Sequence, residues 1–123
     1  MSGARKEPNM RCLSAMMLVI LFGITPAYAD DCENAVDQAA MNTCAAEAYA
    51  QADKQLNERY KEVMATLDPA RQDALKQAQR DWIKYRDSHC KAEAAAVQGG
   101  TMYGAVLNAC LAETTKDRVE KLK

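Results

Sequence analysis

The stretch "QRDWIKYRDSHC", residues 79–90, decides how this chain folds. It holds the only tryptophan and the only histidine, with two arginines, two aspartates, a tyrosine and a cysteine. Taken as a list of side chains it resembles an active site. Taken with the period of a helix it divides into faces. Gln79, Trp82, Arg86 and Cys90 recur at steps of three and four, so they share one side of a helix. Asp81, Lys84, Tyr85 and Ser88 fall on the flanks. The inward side carries a long apolar ring, a guanidinium, an amide and a thiol, which is the makeup of a packed seam with polar register pairs.

Upstream, Met41, Cys44, Ala45, Ala48, Ala52, Leu56, Tyr60, Val63 and Leu67 recur at the same steps. They predict a first long helix with one apolar face, capped by Asp37. "LDPARQ" interrupts it. Asp68 is suited to cap a second helix and Pro69 to occupy its first turn. That helix is expected from Pro69 to about Ala96, with Leu75, Ala78, Gln79, Trp82, Ile83, Arg86 and Cys90 inward. "QGG" at 98–100 ends it. A third helix follows over Met102–Leu122. Little in the chain is β-branched, and no strand-like alternation appears. The expected fold is all-α: a small disulfide-stapled bundle of about three helices, made of a long helical hairpin and a C-terminal helix.

With the hairpin turn near residue 68, Asp53 falls within one turn of Arg86, and Asn57 lies level with Gln79. These four residues form the expected polar seam, Asp53 pairing with Arg86 and Asn57 exchanging amide hydrogen bonds with Gln79. Trp82 is expected in the core, against Ala48, Ala52 and the third helix.

Residues 1–29 read differently. Arg5, Lys6 and Arg11 precede the apolar run "LSAMMLVILFGI" at 13–24, and "TPAYA" then puts small residues at Ala27 and Ala29. This is the pattern of a cleaved secretory signal, with the cut expected after Ala29. The run is about a dozen residues, short of the ~20 that span a bilayer. Met10 offers a tidier start, since residues 10–29 form a compact signal by themselves. "ADD" before Cys32 is no lipoprotein motif, so no membrane anchor is expected after cleavage. The remaining domain, residues 30–123, is expected to be periplasmic or secreted.

Of the chain's 123 residues, export leaves 94, enough for one domain with a small core. Losing Arg5, Lys6, Arg11 and Glu7 takes 16 basic and 17 acidic side chains to 13 and 16, a net charge of −3. An acidic surface of this size argues against nucleic acid and anionic membranes as partners. Cys12 departs with the signal. Cys32, Cys44, Cys90 and Cys110 remain, and four cysteines in a short exported chain imply two disulfides. Their spacings of 12, 46 and 20 residues lack the close pairs of a zinc site. Two pairings stay open: Cys32–Cys44 with Cys90–Cys110, or Cys44–Cys90 with Cys32–Cys110. Either ties helix ends at one pole.

His89 among Asp53, Arg86 and Asp87 is a weak signal for acid–base chemistry. No nucleophile motif, phosphate loop or metal-ligand spacing accompanies it. No catalytic residue, metal or cofactor is therefore expected. If the domain binds a partner, the candidate contacts are Tyr85 on the flank of the second helix and Met102 and Tyr103 in "QGGTMYG", residues 98–104.

Across the mature chain a set of steps stands out: Met41-Asn42-x-Cys44, Ala52-Asp53-x-x-Leu56-Asn57-x-x-Tyr60, Gln79-Arg80-x-Trp82-x-x-Tyr85-Arg86-Asp87-x-x-Cys90, Gly99-Gly100-x-Met102, and Thr115-x-x-Arg118. With Cys32 and Cys110 they resemble the LprI-type lysozyme inhibitor family, also called DUF1311. The resemblance implies a small secreted or lipid-anchored helical protein that inhibits lysozyme by binding it, without catalysis. It supplies no contact residues. The alternative function is a structural or stress-related envelope protein with no effect on lysozyme.

Overall fold

The computed structural model describes Cys32 and residues 34–123. The expected signal segment, residues 1–29, and its cut after Ala29 lie outside the described residues. Among the described residues three long helices follow in order: α1 (Gln38–Thr66), α2 (Pro69–Ala94) and α3 (Tyr103–Lys121), with a short 3-10 turn at Ala95–Val97 leaving α2. No helix among the described residues is long and apolar enough to cross a membrane.

The helix boundaries follow from local chemistry. Asp37 is extended, and its side chain accepts from the Ala40 N–H at 2.7 Å. Asp68 does the same for the Arg71 N–H at 3.0 Å, with Pro69 behind it at the first helical position. Each cap satisfies a donor that the first turn leaves unpaired. Asp68→Ala is expected to cost ~1 kcal/mol of stability, measurable by urea unfolding. A loss below the error of that measurement would mean water caps the helix equally well. Between α2 and α3, Gly99 takes φ +81°, a left-handed turn that glycine enters without strain.

The helices do not pack equally. α3 lies close along α1 and more loosely along α2, while α1 and α2 scarcely approach each other beyond their turn. The size of the facing side chains accounts for this. Where α1 meets α3, Ala45, Ala52 and Ala112 are buried and Gly104 stands against Asn42, so the backbones come near. Toward α2 the larger Tyr60, Leu75 and Trp82 pack on the core cluster, and Arg86 reaches Asp53 of α1 only at 3.8 Å. The core is a small cluster of Leu56, Val63 and Leu122, with Tyr60, Leu67, Leu75, Trp82 and Val119 packed on it.

This spacing corrects two expectations about α2. Ile83 is 38 % exposed, and Ala78 is exposed as well. Both were expected inward, but the hairpin stands open along that edge. Trp82 packs on the Leu56 cluster, while Ala48 lies in a groove between α1 and α3.

The cysteines join as Cys32–Cys44 and Cys90–Cys110, each with Cα atoms 5.5 Å apart. The first closes the chain entering α1 back onto that helix. The second crosses from α2 to α3 at the end of the bundle near the Gly99 turn. The far end of α3 is held by Arg59, whose Nε donates to the Leu122 carbonyl at 2.9 Å.

Candidate functional site

Arg86 is the organising side chain of the interior. It is 6 % exposed, and the three helices supply its neighbours. Its guanidinium meets Asp87 at 2.9 Å and Asp53 of α1 at 3.8 Å, and Nη1 donates to the Thr115 hydroxyl of α3 at 3.5 Å. The rings of Tyr49 and Trp82 each lie 5.3 Å from its central carbon. A planar cation suits this place, because its edge serves oxygens while its faces serve rings. Burial pushes the Tyr49 phenol above its ordinary value; Arg86 opposes the rise, and Asp53 and Asp87 add to it. Tyr49 therefore stays neutral beside the cation.

The expected seam is only partly assembled. Asp53 and Arg86 meet across the hairpin. Asn57 and Gln79 do not meet. Asn57 Nδ2 donates along its own helix to Asp53 at 3.4 Å, and Gln79 Oε1 accepts from Arg118 Nε at 3.1 Å. The third helix takes the partner assigned to the first. Asn57 and Gln79 instead line an open polar cleft of about 430 Å³ between α1 and α2, together with Asp53, Tyr60, Lys76 and Arg80. Sequence reasoning missed Tyr49, Thr115 and Arg118 as members of the network. Tyr49 lies one turn before Asp53, which is the one local signal that pointed to it.

The structure brings Asp53, Asp87 and Arg86 together and places His89 against another partner. The aspartates face the Arg86 cation, while His89 turns away to Glu93, with Nε2 3.2 Å from Oε1. His89, Glu93 and Cys110 bring potential metal ligands within 4.8 Å of one another. The Cys110 sulfur is bonded to Cys90, however, and offers no thiolate to a metal.

The expected contact residues lie on two different surfaces. Met102 is 47 % exposed at the start of α3 and borders the apolar groove between α1 and α3, with Tyr103 half-buried beside it. The turn that carries them is tied to α1, where Asn42 Nδ2 donates to the Thr101 carbonyl at 3.0 Å. Tyr85 is 57 % exposed and stands in another cleft, between α2 and α3.

Comparison with known proteins adds the decisive observation. The family model described as lysozyme inhibitor LprI matches residues 29–122, which is nearly the whole described chain. The chain belongs to the LprI lysozyme inhibitor family. An uncharacterized protein of Rhizobium meliloti (strain 1021) is similar at 34 % identity over 131 aligned positions, covering 93 % of this chain and 94 % of the relative. No solved structure gives a significant match. Membership in the LprI family puts the domain among proteins described as inhibitors. Some of the residues that carried the resemblance, among them Asp53, Asn57, Tyr60, Gln79 and Arg86, line the cleft between α1 and α2.

Proposed function

We propose that this domain is an exported binding protein that blocks a lysozyme-like muramidase by docking on it, with no chemistry of its own. The family match over residues 29–122 carries the reading. Two disulfides in a domain of this size support export to an oxidising compartment.

The contact element in this reading is the turn from Gln98 to Tyr103. A blocking protein gains affinity when its contact surface is ordered before binding, because less entropy is lost in the complex. The Asn42–Thr101 hydrogen bond and the Cys90–Cys110 bridge hold this turn between two helices. Met102 supplies an exposed apolar side chain at its end. Tyr85 belongs to a separate surface and is outside this contact.

Purified protein in molar excess is expected to slow lysis of cell walls by lysozyme, and Met102→Glu is expected to weaken that effect about tenfold or more by burying a charge in the contact. Lysis that proceeds unchanged across low and moderate salt would remove the muramidase reading. Inhibition undiminished in Met102→Glu would move the contact elsewhere.

A further inference from the structure

The cleft between α2 and α3 gathers aromatic and charged side chains at one surface. Its volume is about 360 Å³, at the lower end of the ~300–1,000 Å³ range of small-ligand sites. α2 contributes Trp82, Tyr85 and His89; α3 contributes Asp117, Arg118 and Lys121, with Thr114 completing the wall. Tyr85 stacks on His89 with ring centroids 5.5 Å apart and planes 14° from parallel. More than half of the tyrosine stays in solvent all the same. A tyrosine packed for the core would be covered; this one offers a supported aromatic surface to whatever enters.

We propose that this cleft is a saccharide site, selective for a pyranose that carries a carboxylate. The negative faces of aromatic rings attract the weakly positive C–H edges of a sugar ring. Asp117 and Thr114 can pair with hydroxyls. The charge of the cleft supplies the selectivity. Of the charged side chains that line the cleft, the two cations Arg118 and Lys121 outnumber the one carboxylate, Asp117, while the neighbouring Glu93 is paired with His89 at 3.2 Å. Arg118 is held in place, since its Nε donates to Gln79 and its guanidinium lies 5.6 Å from the centre of the Trp82 ring. A guanidinium fixed in this way is ready for the paired hydrogen bonds that a carboxylate accepts. Two cations are too few for nucleic acid, and the rings would be wasted on a free inorganic anion. The inference stands apart from muramidase inhibition: it assigns the glycan to this chain directly, on a surface away from the Gln98–Tyr103 turn.

Trp82 is the chain's only tryptophan and lines the cleft, so its fluorescence reports occupancy. Three probes are titrated into the full-length protein: a tetrasaccharide containing N-acetylmuramic acid, an oligomer of galacturonic acid, and the neutral tetramer of N-acetylglucosamine. Calorimetry in parallel catches binding that leaves the emission unchanged. At least one carboxylated probe is expected to bind saturably and about tenfold more tightly than the neutral tetramer; which one does so identifies the source of the acid sugar. Tyr85→Ala and Lys121→Glu, both at exposed positions, are expected to raise its Kd about tenfold while the helical circular dichroism is retained. Absence of saturable binding by any probe overturns the proposal. So does equal affinity for the neutral tetramer, or an unchanged Kd in both variants.

Discussion

Arg86→Ala is expected to lower the unfolding free energy by ~3 kcal/mol or more, in the range seen when one member of a buried charge network is removed. Several losses combine. The side chain is 7 % exposed, so its stem leaves a gap among Trp82, Tyr49 and Thr115. Asp53 and Asp87, at 45 % and 46 % exposure, lose the cation between them but keep access to water, which caps their share of the cost. Thr115 has no exposed surface and loses the donor to its hydroxyl. Arg86→Lys keeps the charge but has neither the planar fork nor the flat face, and is expected to recover less than half of the deficit. Urea unfolding followed by far-ultraviolet circular dichroism measures both variants without depending on Trp82, whose surroundings change. A deficit below 1 kcal/mol for the alanine variant would show that the network is decoration on a fold held elsewhere.

The second large effect concerns the Cys90–Cys110 bridge. Replacing both cysteines by alanine is expected to cost ~3 kcal/mol from the unfolded chain's regained freedom, for a closed loop of 20 residues. Loss of packing adds to this, because Cys90 is fully buried and Cys110 nearly so. The bridge also joins α2 to α3 at the end where they lead into the Gly99 turn. The 12-residue Cys32–Cys44 loop should release a similar entropy, but its half-buried cysteines only return the entering chain to its own helix. Thermal unfolding of the two double variants is therefore expected to rank Cys90/Cys110 as the more damaging loss. For a domain whose whole stability is ~5–15 kcal/mol, that loss alone is a large share. The opposite ranking would mean that the N-terminal clip, and not the crossing between helices, limits unfolding.

The elements were plain in the residues. Asp37, Asp68 and Pro69 mark helix starts because their side chains do chemistry with the next few backbone groups, and Gly99 marks a turn because only local strain is at issue. The four cysteines announced two bridges, with the pairing left between two alternatives. The burial of Arg86 followed from its step on the face of Trp82 and Cys90. Its meeting with Asp53 followed from counting away from the turn.

The partners that required α3 were another matter. Periodicity tells which way a face points and says nothing of how far away the opposing helix stands. That distance depends on the sizes of side chains from two remote segments meeting at one level. Alanines and a glycine let α3 settle on α1, while the larger Tyr60, Trp82 and Arg86 stand where α2 joins the bundle. Once α3 was in place, Arg118 took the Gln79 carbonyl, Thr115 took a place on Arg86, and Asn57 turned to its own helix. The open clefts have the same origin. "QRDWIKYRDSHC" carried in its own order which side chains face inward, because a helix repeats every 3.6 residues whatever surrounds it. Whether its flank met a neighbour or stood as the wall of a cleft depended on where the third helix came to rest.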